Sequence, residues 1–190
     1  MRPTVLLLAT LLALGPAACA RSADAARDST PVPARGDLDY LRSRRLLVPV
    51  ECVHAADIAD SFDDPRDGGR RHHAVDILAP RGTPVRAADD GRVLKLRTGG
   101  AGGIALYATD PSGRFVYYYA HLDRYRERLA EGTRLAKGDV IGYVGSTGNA
   151  PRRAPHLHFQ IMRMPEGGEY WAGVPIDPRP LLTDARGGER

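Results

Sequence analysis

The sequence predicts a mainly β protein, with a compact antiparallel sheet core running from about residue 47 to about residue 165. Three observations lead there. Short apolar segments recur between clusters of Gly, Pro, Asp and Ser, the punctuation of strands and turns. His156 to Met162 alternates, with His156, His158 and Gln160 on one face and Leu157, Phe159 and Ile161 on the other. Helical periodicity is nearly absent after residue 60, apart from a turn around Arg124 to Ala130.

Residues 1–20 read as a secretory signal peptide. Arg2 supplies a positive start, Val5 to Leu14 an apolar stretch, Gly15 and Pro16 a break, and Ala17 to Ala20 small residues for cleavage. The apolar stretch is shorter than the ~20 residues that span a bilayer. Cleavage after Ala20 would release a soluble exported protein. Cleavage before Cys19 would leave a cysteine for lipid attachment to a membrane, although Pro16 stands where such signals usually carry Leu. Both readings place the mature chain in the periplasm or cell envelope.

Residues 21–46 read as a disordered tether. Arg21 to Arg35 is rich in Ala, Ser, Pro and charge without apolar periodicity. A short helix fits over Asp37 to Leu47, with Leu38, Tyr40 and Leu41 as its apolar face and the arginines at 42, 44 and 45 against it. The strand segments follow. Val75 to Leu78 is ended by Pro80 and Gly82. Pro84 to Ala88 and Arg92 to Leu96 flank Asp89-Asp90-Gly91, the mark of a first hairpin. Gly103 to Thr109 and Arg114 to Ala120 flank Asp110 to Gly113, a second. Asp139 to Val144 and His156 to Met162 complete the domain. Residues 166–190 form an extended C-terminal segment in which Tyr170 to Leu182 wraps the domain and Arg186 to Arg190 frays.

Composition excludes some classes. Of 190 residues, 43% are hydrophobic and 26% charged, which suits a globular core that needs no disulfide. Cys52 is the one cysteine after the signal, expected as a small buried hydrophobe. The formal charge of +4 allows weak attraction to anionic envelope material. No basic run with interleaved aromatics points to nucleic acid.

The chemistry lies in the histidines. His72 and Asp76, four apart, share one face of an extended strand, and so do His156 and His158. Together they offer imidazoles and one carboxylate, a set suited to Zn²⁺ with one position open for water. His72, Asp76 and His158 are the expected metal ligands. His121 and His156 are the expected catalytic pair, one as general base and one holding the tetrahedral intermediate; spacing does not assign which. Strict alternation puts Tyr117, Tyr119 and His121 on one face, which would bring Tyr119 to the groove and turn Tyr118 away. His73 is expected at the surface or rim, and His54 in a structural role. Gly99, Gly100, Gly102 and Gly103 read as a flexible loop, since no Lys-Ser/Thr follows to make a phosphate loop. Asp63, Asp64 and Asp67 read as a solvated loop, with no calcium spacing.

These residues fall into motifs. His72-His73-Ala74-Val75-Asp76 resembles His-x-Gly-x-Asp, Tyr119 to Leu122 resembles Tyr-x-His-Leu, and His156 to Phe159 is His-Leu-His-Phe. A glycine-rich approach runs from Lys137 to Gly148. In this order and spacing, over about residues 60 to 165, the chain resembles the lysostaphin-type (LytM-like) zinc endopeptidases that cut peptide cross-links of bacterial peptidoglycan. The resemblance implies the duplicated hybrid-motif-like β fold of that family, Zn²⁺ as cofactor and peptidoglycan stem peptides as partners. It also implies metal ligands His72, Asp76 and His158, with His121 and His156 catalytic. Ala74 and Gln160 depart from the pattern, where glycine and glutamate are common. They motivate a competing expectation, a non-catalytic wall-binding or hydrolase-activating protein. An Fe(II) barrel is a third reading, which the spacing of the histidines opposes.

Overall fold

The computed structural model describes residues 34–185. The expected signal peptide with Cys19, the first half of the tether (residues 21–33) and the last five residues lie outside this range.

A nine-stranded, antiparallel sheet dominates the described residues. Its strands in chain order, after the short β1 (Leu46–Leu47), are β2 (Val75–Leu78), β3 (Pro84–Arg86), β4 (Gly91–Arg97), β5 (Ile104–Thr109), β6 (Phe115–Tyr125), β7 (Arg134–Leu135), β8 (Val140–Val144), β9 (His156–Arg163) and β10 (Val174–Ile176). A last strand, β11 (Leu182–Thr183), pairs in parallel with β1 as a separate two-stranded ribbon. The aromatic and β-branched residues of β6 make it the longest strand and a hub: it pairs with β5, β8 and β9. On its other side β9 pairs with β2 along His156 to Phe159 and with β10 along Ile161 to Arg163. The inward face of this hub carries Phe115, Tyr117, Tyr119, Leu157, Phe159 and Ile161, all fully buried. The Tyr119 and Phe159 rings lie 5.1 Å apart.

Asp89-Asp90-Gly91 does not close a hairpin. β3 pairs with β8, while β4 pairs with β5 and β7. The reason is electrostatic. The Asp89 carboxylate is buried and receives Arg44 through two 2.8 Å hydrogen bonds and the Tyr117 hydroxyl at 3.1 Å. Asp90 Oδ1 accepts the Lys137 N–H at 2.9 Å. The pair of aspartates therefore anchors other elements instead of turning the chain back. Gly91 is required by close approach: a Cβ there would sit 1.9 Å from the Thr109 carbonyl oxygen.

The helix α1 (Arg35–Arg44) joins the packed domain ahead of the expected boundary at residue 47. Leu41 is fully buried, and the Tyr40 ring stacks on Phe115 at 5.5 Å. Asp37 in the first turn favours the helix dipole and pairs with Arg114. The arginines that weaken the helical pattern have other work: Arg44 holds Asp89, and Arg45 ends the helix in the left-handed region. At the other end the sheet runs past residue 165, since β10 edges β9 and Ile176, Leu181 and Leu182 enter the core. Cys52 is exposed, contrary to expectation, because it stands in a turn with φ +62°.

Asp110 ties the second hairpin, β5 to β6, to the helix. Its Oδ1 accepts the Phe115 N–H at 2.9 Å. Its Oδ2 accepts the Tyr40 hydroxyl at 2.6 Å, the Ser112 N–H at 2.9 Å and the Ser112 hydroxyl at 2.6 Å. Burial works to raise its pKa, but these four donors hold it below the ordinary value. The folded value is thus below the unfolded one of about 3.9. The contribution is complete above that pH and is lost as pH falls through the folded value. Asp110→Ala is expected to cost about 2–4 kcal/mol at neutral pH, because buried donors lose a charged acceptor. Urea unfolding at pH 7 and pH 3 checks this: the variant's deficit should shrink at the lower pH.

Candidate metal centre

The register between β2 and β9 sets Asp76 directly opposite His158. Cross-strand partners project to the same face, so carboxylate and imidazole meet. His72 reaches them by another route. It precedes β2, and His73 at φ +56° breaks the strand between them. A loop pins it instead: the His72 and His73 N–H groups donate to the Asp64 and Phe62 carbonyls at 2.9 and 2.8 Å. The shared face expected from strand alternation is therefore made by a loop. His73 packs near Phe62, with ring centroids 5.4 Å apart.

Three donor atoms converge. His72 Nε2, Asp76 Oδ1 and His158 Nδ1 stand 3.0 Å from one another in all three pairs. Burial alone would raise the Asp76 pKa, but hydrogen bonds with His158 and His72 hold it well below the usual carboxylate range. Burial pushes the His158 pKa down. The set is thus one carboxylate and imidazole lone pairs aimed at one point, which a shared cation satisfies. Zinc bonds to such atoms run at about 2.0–2.2 Å, and donors spaced 3.0 Å apart can all reach one centre at that length. The outer atoms are also held. His72 Nδ1 donates to the Ser61 carbonyl at 2.9 Å, which leaves Nε2 free to ligate. Asp76 Oδ2 accepts from Arg66 Nη2 at 3.1 Å, so a single oxygen turns inward. Arg66 was not anticipated; ten residues from Asp76 in a loop, it carries no periodic signal.

His121 and His156 flank this cluster. Their rings lie 4.9 Å apart, and His121 lies 5.7 Å from the His158 ring. His156 Nε2 stands 3.8 Å from Asp76 Oδ1. In both, Nδ1 bonds a backbone carbonyl at 2.8 Å: Thr147 for His121 and Ala154 for His156. An N–H on Nδ1 leaves the Nε2 lone pair available. Burial lowers the His121 pKa to about 4, so this imidazole is neutral at physiological pH and can accept a proton.

Tyr119 does not reach the groove. It is buried, and its hydroxyl accepts the Ala88 N–H at 3.0 Å. Tyr118 takes the position, edge-on to His158 with centroids 5.9 Å apart. A bulge explains the exchange. Leu106 pairs with Tyr119 and Ile104 with Leu122, so Ala120 and His121 together face one residue of β5. His121 sits at φ +61°, and the extra residue flips its side chain onto the face of Tyr118. In the glycine loop beside it, Gly99 and Gly100 are exposed with open space around them, while Gly102 and Gly103 are packed. Gly102 O accepts the His121 N–H at 2.9 Å, and a Cβ on Gly103 would lie 2.4 Å from Gly148 N. Asp63, Asp64 and Asp67 are exposed, as a solvated loop requires.

Residues 70–178, more than half of the chain, match the model of Peptidase family M23. The chain belongs to peptidase family M23. Among curated relatives, the glycyl-glycine endopeptidase ALE-1 of Staphylococcus capitis is 35% identical over 118 residues, 62% of this chain and 30% of the relative. The peptidoglycan DD-endopeptidase ShyC of Vibrio cholerae is 36% identical over 94 residues, 49% of this chain and 20% of the relative. The chain thus spans less than a third of the length of either. The lysostaphin catalytic domain from Staphylococcus simulans superposes with a TM-score of 0.53 at 26% identity, covering 76% of this chain and 96% of that one. A zinc containing peptidase from Vibrio cholerae superposes with a TM-score of 0.52 at 27% identity, covering 62% and 36%. The M23 membership agrees with the lysostaphin-type resemblance carried by the His-x-x-x-Asp, Tyr-x-His-Leu and His-Leu-His-Phe motifs.

Proposed function

We propose that this M23 chain is an exported zinc metalloendopeptidase that hydrolyses peptide cross-links of bacterial peptidoglycan. The observation that carries the reading is the 3.0 Å convergence of His72, Asp76 and His158 beside two further histidines with available Nε2 atoms. His72 Nε2, Asp76 Oδ1 and His158 Nδ1 would hold the ion. Bound zinc would supply a Lewis acid and a water with its pKa lowered to about 7. Arg66 holds the outer oxygen of Asp76 and keeps the carboxylate to one inward atom. His121, kept neutral by burial and anchored through Nδ1 on the Thr147 carbonyl, would present its Nε2 lone pair as a proton acceptor toward water at the site. His156, anchored through Nδ1 on the Ala154 carbonyl, would be placed beside the developing oxyanion. The roles of these two histidines exchange without change to the geometry, so they are tested as a pair.

The names of ShyC and ALE-1 support peptidoglycan as the substrate class. The bond between D-alanine and diaminopimelate is the first choice and a glycine bridge the second. The signal-like first twenty residues support export, with release after Ala20 or lipid attachment at Cys19 as the two outcomes. Among the described residues, no helix is long and apolar enough to cross a membrane. A purely wall-binding role is not favoured, because all five site residues are present and meet. The test is digestion of purified peptidoglycan by the zinc-loaded mature chain, read by mass spectrometry. Cross-linked dimers should fall and monomers rise, with the new termini naming the bond. Unchanged dimers across pH and salt would overturn the proposal.

A further inference from the structure

A line of aromatic rings leads away from the metal centre. Tyr118 stands edge-on to His158 at 5.9 Å, Tyr107 stacks on Tyr118 at 4.3 Å, Tyr170 meets Tyr107 at 4.8 Å, and Trp171 meets Tyr170 at 4.7 Å. The last ring is 57% exposed, an unusual place for the largest apolar side chain. Along this line lies a cavity of about 390 Å³, walled by Tyr107, Tyr118, Trp171 and the glycine loop. Its single charged lining residue is Arg97. Neighbouring cations are matched: Lys95 pairs with Glu131 at 3.0 Å, and Arg92 donates to the Gly132 carbonyl at 2.9 Å. The Arg97 guanidinium has neither an ion pair nor a hydrogen bond among the described residues, and its charge acts on both Tyr107 and Tyr118.

We propose that this cavity is a substrate subsite that takes a free peptide carboxylate on Arg97 and the adjoining apolar part of the peptide against Tyr107, Tyr118 and Trp171. Two features select this ligand. An unmatched, planar guanidinium in a cleft binds a carboxylate through two parallel hydrogen bonds. Aromatic walls favour the aliphatic portion of a residue over bulk water. Tyr118 belongs to both the cavity and the metal site, so a ligand held here lies next to His158. The subsite thus selects stem peptides that keep a carboxylate a short distance from the bond to be cut. It rests on the peptidase reading above for its purpose, but not for its measurement.

Trp171 is the protein's single tryptophan, so its emission reports on the cavity directly. The experiment titrates the zinc-loaded mature chain with an uncross-linked stem tetrapeptide bearing a free C-terminal carboxylate, and with the same peptide amidated there. Calorimetry runs in parallel. The acid should change the emission saturably and bind about tenfold more tightly than the amide. Arg97→Gln should bring the acid down to the amide and leave the amide unchanged. Tyr107→Ala should weaken both. Equal binding of acid and amide, or full binding of the acid by the Arg97→Gln variant, overturns the subsite, as does absence of both emission change and heat. Circular dichroism confirms that the exposed Arg97 is replaced without unfolding. A chain that prefers the acid yet leaves cross-links intact supports the subsite and counts against the peptidase reading. One that cleaves cross-links but does not tell acid from amide does the reverse.

Discussion

Replacing His158 with alanine is expected to remove stoichiometric zinc and to lower cross-link hydrolysis by roughly 10³-fold or more, the worth of several kcal/mol of Lewis-acid stabilisation. The geometry makes this change as damaging as the loss of either other corner. His158 Nδ1 is 3.0 Å from both His72 Nε2 and Asp76 Oδ1, so it closes the triangle from its own corner. Without it, two donors remain where a catalytic zinc takes three from the protein. The fold should survive. His158 lies on the open face of β9, its side chain is partly exposed, and alanine keeps the backbone ladder to Asp76 and Ala120. Metal content after dialysis against a zinc buffer, the thermal midpoint and muropeptide release are measured on one preparation. A variant that holds no zinc yet hydrolyses at the parental rate would show that the His72–Asp76–His158 cluster is not the catalytic centre.

Much of this site is legible in the chain because strands have a period of two. The pairs His156/His158 and Tyr117/Tyr119 share faces as alternation requires, and Asp110 to Gly113 turns the second hairpin as its composition demands. The failures have specific causes. Tyr119 and His121 part company because one bulged residue reverses parity, and nothing in Tyr119-Ala120-His121 marks the bulge locally. His72 reaches Asp76 through a loop held by Ser61, Phe62 and Asp64, a long-range arrangement that spacing alone cannot distinguish from a strand. Asp89-Asp90-Gly91 looks like turn chemistry, but buried Asp89 is claimed by Arg44, 45 positions earlier. For the same reason the helix looks weak in sequence: its C-terminal arginine satisfies a carboxylate elsewhere in the fold. Arg66 and Arg97 are single cations without periodicity, and only the fold shows one on Asp76 and the other in a cleft.

His121→Ala and His156→Ala are each expected to lower kcat by about 10²–10⁴-fold, the range for losing a positioned acid or base, with zinc content unchanged. That combination separates them from the ligands. Neither supplies an atom to the 3.0 Å triangle, and each is anchored away from it through Nδ1, on Thr147 and Ala154. Their environments differ in a way the kinetics can read. His156 Nε2 stands 3.8 Å from Asp76 Oδ1, so its removal also takes a polar neighbour from the Asp76 carboxylate. His121 is tied to the bulge, where its loss frees the Thr147 carbonyl and costs about 1–3 kcal/mol of stability. Activity is therefore compared at a temperature well below the midpoint of either variant. If both histidines serve one proton-transfer and oxyanion-binding step, the double variant should be little slower than the worse single, because groups that act as a unit are non-additive. Fully multiplicative losses would mean separate steps. Loss of zinc from either single variant would move that histidine into the ligand set and displace one of the three residues assigned there.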